Sequence, residues 1–169
     1  MARGDLLLFW KHEHNLSDAI IVRTTQGPFV HVAIDTGDGL VEAQQDGIHY
    51  VASDQVNRSA PIYVASVTST ELDGIENGIE WVRKQVGLKY GWSDIVSSAM
   101  KGLGLPWYIG QVGHWDCSDL ATRYLINANA AKPLGNLVND PGIVNPNDIA
   151  LAYGLIEKHG LLIGSQKRY

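Results

Sequence analysis

The chain has 169 residues, 45% of them hydrophobic and 18% charged, and carries a formal net charge of −5. That is enough polymer for one substantial core and far too apolar for a disordered segment. The acidic balance, with no Lys/Arg run longer than a pair such as the Lys167-Arg168 end, leaves no electrostatic footprint for nucleic acid or an anionic membrane, and a single cysteine excludes both a disulfide framework and a multi-thiolate zinc site.

No Pro-, Gly- or Ser-rich stretch divides the chain, so residues 1–169 are expected to form a single domain without internal repeats. No apolar run is long enough to span a bilayer, so no integral membrane segment is expected. Leu6–Trp10 behind Asp5 is too short for a secretory segment. The expected location is therefore cytoplasmic, or on something exported by another route.

Gly4-Asp5 followed by the unbroken apolar run Leu6–Trp10 predicts a short buried strand. Residues 15–23, with Ser17 as a candidate cap and Leu16, Ala19 and Ile20 on one side, suit a short helix. From Phe29 to Val67 the texture becomes short β-rich runs: FVHVAID, LVEAQ, IHYVA and PIYVASV. An antiparallel meander follows, with tight turns expected at Asp38-Gly39 and Asp46-Gly47, where glycine accepts positive φ. Leu72, Ile75, Ile79, Val82 and Val86 recur at three and four residues and predict an amphipathic helix, with Thr68 and Glu71 as a capping box and Gly87 at its stop. A second helix is expected over residues 93–103, then a connector over 107–114. A third opens at Asp116 or Cys117 and buries Leu120, Ala121, Tyr124, Leu125 and Ala128. A last one starts at Asn145-Pro146. Strand, helix, meander and then helices make an α+β order, an antiparallel β-meander or barrel packed against helices.

Chemistry concentrates at Cys117, in Gly113-His114-Trp115-Asp116-Cys117-Ser118-Asp119-Leu120. A lone cysteine serves equally as a small core hydrophobe. At the first position of a helix capped by Asp116, however, the unpaired N–H groups and the positive helix end favour a thiolate, and the same N–H groups can hold an oxyanion. A thiolate nucleophile needs an imidazole partner. His12, His14 and His159 suit a solvated surface, and His49 suits an ordinary half-exposed strand position. His114 is near the cysteine in sequence but sits on a loop. His31 lies inside a strand-forming run, where period two puts Phe29, His31 and Ala33 on one face and Val30, Val32 and Ile34 on the other. It is either a core histidine or a rigidly held base. Glu42, in the next strand, falls across from or diagonal to His31 if the chain turns at Gly37-Asp38-Gly39. It is either an exposed strand carboxylate or the group that orients the imidazole. His31, Glu42, His114 and Cys117 lack the helical spacing of a zinc site, so no metal and no other cofactor is expected.

The opening Gly4-Asp5-Leu6-Leu7-Leu8, the strands FVHVAIDTG and LVEAQQDGI, Gly87-Leu88-Lys89-Tyr90, DCSDL and VNPNDIA together resemble the circularly permuted NlpC/P60 (papain-like) superfamily. That superfamily includes the YiiX- and YaeF-like amidases and, more distantly, the lecithin:retinol acyltransferase-like proteins. The histidine precedes the cysteine in that group. The resemblance implies a permuted papain-like fold with Cys117 as nucleophile, His31 as base and Glu42 as orienting residue. Tyr90, Asp116 and His114 are then candidates for oxyanion or substrate support. It implies cysteine-dependent amide hydrolysis through a thioester, with peptidoglycan stem peptides as the expected substrate class, in a cell-wall hydrolase borne by a phage or otherwise delivered. The alternatives are a lipid acyltransferase or esterase of the same superfamily, for which Leu105–Ile109 would supply an apolar surface, and a non-catalytic binding or structural module of a phage particle.

Overall fold

The structure, a computed structural model, describes residues 2–10, 27–44, 46–56, 61–89 and 116–156. The helices expected over residues 15–23 and 93–103, the 107–114 connector, and with them Tyr90 and His114, lie outside the described residues. So do His12, His14, His159 and the apolar Leu105–Ile109.

Among the described residues five strands form one antiparallel sheet: β1 (Leu6–Trp10), β2 (Phe29–Asp35), β3 (Gly39–Gln44), β4 (Gly47–Ala52) and β5 (Ile62–Ala65), in the spatial order β4-β3-β2-β1-β5. The first four make the meander. β5 does not extend it as expected but pairs with the other edge of β1, placing Leu7 opposite Val64 and Leu8 opposite Tyr63. Leu6, Leu7 and Leu8 are all essentially inaccessible, which is why β1 is an unbroken apolar run: it has a partner strand on each edge and side chains covered on each face. Among the described strands the order is that of an open sheet, with β4 and β5 as edges, rather than a barrel.

The β2–β3 turn also differs from expectation. Positive φ falls at Gly37 (+90°), not at Gly39, which already begins β3. Thr36 fixes this turn: its N–H and its hydroxyl both donate to Gly39 O, at 2.8 and 2.9 Å.

Among the described residues three helices follow: α1 (Gly74–Arg83), α2 (Cys117–Asn127) and α3 (Pro146–Ala152). Two 3₁₀ stretches, Lys132–Asn139 and Pro141–Ile143, join the last two. α2 packs on β2 and β3, α3 on β2, and α1 on α2. Leu120, Ala121, Tyr124, Leu125 and Ala128 are fully buried, as their spacing predicts, against Leu6, Leu8, Val32, Ile34 and Val41 of the sheet. The opposite sheet face carries a smaller cluster of Leu7, Ala33 and Leu40, with Phe9, Val56 and Ile62 against it.

α1 is shorter than the 72–86 pattern suggests. The Thr68–Glu71 capping box does not form, Leu72 is 99% exposed, and the helix begins at Gly74. The cause is tertiary: Thr70 donates both its N–H and its hydroxyl to Asn129 O, at 3.2 and 3.1 Å, and Glu71 N–H is taken by Ser69 Oγ, so the approach is pinned in a non-helical turn. Past Arg83 the chain leaves in turns, and Gly87 N–H donates to Ile48 O of β4. α3, by contrast, starts as expected, with Asn145 and Asp148 forming a reciprocal capping box around Pro146.

Among the described residues no helix is long and apolar enough to cross a membrane.

Candidate active site

Cys117 is the first residue of α2. Asp116 caps that helix from extended backbone, its carboxylate accepting from Asp119 N–H at 2.6 Å and from the Ser118 hydroxyl at 3.1 Å. The cap fixes the first turn, whose leading N–H groups have no partner within the helix. Both of these contacts use Asp116 as an acceptor that holds the helix start. The sulfur lies at the edge of the main core, the residue being 8% exposed.

His31 comes from β2. The registers place Ala33 opposite Glu42, so His31, two residues earlier, lies diagonal to Glu42 on the same face. The imidazole Nε2 meets Glu42 Oε2 at 2.7 Å. The Cys117 side chain is the second group that acts on the imidazole, raising its pKa together with Glu42. With Nε2 engaged by Glu42, Nδ1 is the nitrogen left for the sulfur. Phe9, directly opposite His31 on β1, packs its ring at 5.3 Å between centroids and 49° from parallel. The three side chains that stand far apart in the chain thus meet at the imidazole, in the line Cys117–His31–Glu42: the ring hydrogen-bonds Glu42 and is acted on by Cys117.

The electrostatics follow from that line. Burial works against a charged His31, but the hydrogen bonds and charges of Cys117 and Glu42 outweigh it and raise the imidazole from 6.5 to about 10. Burial likewise opposes a charged Glu42, yet His31, Gln44 and the nearby His49 hold its carboxyl below the usual 4.5. At neutral pH the pair is an imidazolium against a carboxylate. The His31 side chain is 24% exposed and that of Glu42 11%, so the line is screened from bulk water but reachable at the imidazole.

One expectation about β2 is corrected. Phe29 does not share a face with His31. Phe9 pairs with His31 and Trp10 with Phe29, so Val30 is an extra residue in a bulge. The bulge turns Phe29 into the main core, edge-on to Trp10 and Tyr63, while leaving His31 beside Phe9 and Glu42.

Three contributors were missed in the sequence. Gln44 donates its side-chain amide to Glu42 Oε1, and period two along β3 would have found it. Phe9 needed the β1–β2 register. Asn147 reads in the sequence as part of a helix start, yet its amide grips the backbone of Phe29. His49 pairs with Asp46 at 2.8 Å and is 40% exposed, the ordinary strand position expected of it. Among the described residues no three His, Cys, Asp or Glu side chains converge as a metal would require.

No protein-family model matches the chain, and no curated protein matches it in sequence.

Proposed function

We propose that the chain is a cysteine hydrolase of the permuted NlpC/P60 type that cleaves an amide bond through a thioester. The observation that carries this reading is the Cys117–His31–Glu42 line opening on a helix N-terminus. In the reaction, the Cys117 thiolate attacks the substrate carbonyl carbon, and backbone N–H groups of the first turn of α2 hold the oxyanion. The C–N bond breaks as the His31 imidazolium gives its proton to the leaving nitrogen, producing an amine, a thioester and a neutral imidazole. Water then adds to the thioester while His31 takes its proton. The C–S bond breaks, the acid leaves, and the thiolate–imidazolium pair is restored. Glu42 keeps the ring oriented and stabilises its charged form throughout.

The resemblance to cell-wall amidases makes peptidoglycan stem peptides the proposed substrate, met by an enzyme carried to the wall by a phage or another route. Muropeptides incubated with the wild type and with Cys117→Ala, and read by mass spectrometry, test this. Loss of intact stem peptide with the wild type alone supports it, and full turnover by Cys117→Ala ends it. Cleavage confined to detergent-solubilised lipid esters would move the substrate to the acyltransferase side of the superfamily. A Cys117 inert to a thiol-reactive probe at neutral pH would make the domain a binding module.

A further inference from the structure

The β2 strand that carries His31 is paired unevenly. Among the described residues its pairing with β3 runs from Ala33 to Asp35 and does not reach back to Phe29, and the bulge at Val30 loosens its match to β1. A bulged, half-paired strand end is a poor mount for a base that must meet both a sulfur and a carboxylate. The N–H and C=O of one strand residue point to the same edge, and at Phe29 both are taken by one side chain. Asn147 Oδ1 accepts from Phe29 N–H at 2.9 Å, and Asn147 Nδ2 donates to Phe29 O at 3.0 Å. The amide therefore stands in for a neighbouring strand.

Asn147 is itself well fixed. It is 6% exposed and lies in the first turn of α3, where its own N–H donates to Asn145 Oδ1 at 2.9 Å within the capping box. Gly27 makes room for it, since a Cβ there would fall 2.3 Å from Asn147 Oδ1. We propose that Asn147 is a positioning residue for His31, its amide clamping the bulged start of β2 so that the imidazole is held between Cys117 and Glu42.

The inference rests on the functional reading above, and its test separates the two. Two readouts are taken on the full chain: the rate of Cys117 alkylation by iodoacetamide at pH 7, and the NMR titration of the His31 ring, which faces Cys117 on α2 and Glu42 on β3 and packs against the uncharged Phe9. Asn147→Ala removes the clamp. Gly27→Ala leaves Asn147 in the chain but fills the space its amide occupies. Tyr124→Phe is the control, deleting a buried hydrogen bond of comparable kind, from the Tyr124 hydroxyl to Gly4 O at 2.8 Å, that involves none of Cys117, His31 and Glu42.

The expected result is that both clamp variants stay folded by circular dichroism. Their alkylation slows by about ten- to a hundredfold, the cost of a small misplacement of reacting groups, and His31 titrates closer to its ordinary value. Tyr124→Phe changes neither readout. Folded clamp variants with wild-type alkylation and titration overturn the proposal. So does an equal change in Tyr124→Phe, or the failure of both clamp variants to fold, because Asn147 would then be general scaffold. A wild type with unreactive Cys117 and an ordinary His31 titration would remove the functional reading, and the positioning role with it.

Discussion

His31 is the residue on which the chemistry turns, and its proton is the quantity to follow. Burial would make it neutral; Cys117 and Glu42 together keep it charged up to about 10. Cys117→Ala should therefore lower the titration of the His31 ring toward 6.5 while leaving the Glu42 bond in place, and Glu42→Gln should lower it less, because Cys117 outranks Glu42 in both the hydrogen-bonding and the charge contributions. Ring-proton NMR reads both shifts. Glu42→Gln should also slow turnover about tenfold or more, since an orienting group that cannot carry charge stabilises the imidazolium less. The same linkage has a sign at the level of stability. A histidine raised on folding adds stability that is complete below 6.5 and is lost as pH climbs through about 10. Glu42, lowered on folding, adds stability present above 4.5 and lost as pH falls below that value. Urea midpoints of the wild type should thus decline from pH 6.5 toward 10 more steeply than those of Cys117→Ala. Parallel curves would show that the pair contributes nothing to folding.

At the scale of elements, α2 is the part most legible in the chain, because every signal that makes it is local. Asp116 caps, Asp119 lies three residues on, and Leu120, Ala121, Tyr124 and Leu125 repeat at helical spacing. The cap carries a definite prediction. Asp116→Ala leaves Asp119 N–H and the Ser118 hydroxyl without their acceptor in a buried setting. It should cost about 1–2 kcal/mol in a urea titration and slow Cys117 alkylation, because the turn that holds the sulfur frays. The His31–Glu42 pairing was legible for a related reason: alternation along each strand and a short turn between them restrict Glu42 to a position opposite or diagonal. What escaped was whatever depends on partners remote in sequence. The bulge at Val30 exists only against β1, so the face of Phe29 could not be read from FVHVAID alone. Likewise, Leu72 keeps helical spacing, but Asn129, 59 residues beyond Thr70, holds the approach to α1 out of the helix. Asn147 acts 118 residues from Phe29, and no local pattern announces such a bond.

In the whole molecule, the N-terminal segment that leads into β1 is fastened to the helical layer at Gly4. This residue has φ +95°, its N–H donating to Asp35 O and its carbonyl accepting from the Tyr124 hydroxyl. A Cβ at Gly4 would stand 2.5 Å from Ile75 Cγ2 on α1 and 2.9 Å from Tyr124 Oη on α2. Gly4→Ala therefore meets two penalties at once: a backbone conformation that L-residues avoid, and an overlap that α1 and α2 must both move to relieve. The expected loss is about 2–4 kcal/mol, measured as a lower urea midpoint. Tyr124→Phe, which removes only the hydrogen bond, should lose about 1 kcal/mol. If the junction is a true fastening between the N-terminal strand and the helical layer, the double variant should lose less than the sum of the two, since deleting the hydroxyl also relieves part of the overlap at Gly4. Strict additivity would mean that Gly4 and Tyr124 act independently, with β1 and α2 held together elsewhere in the core.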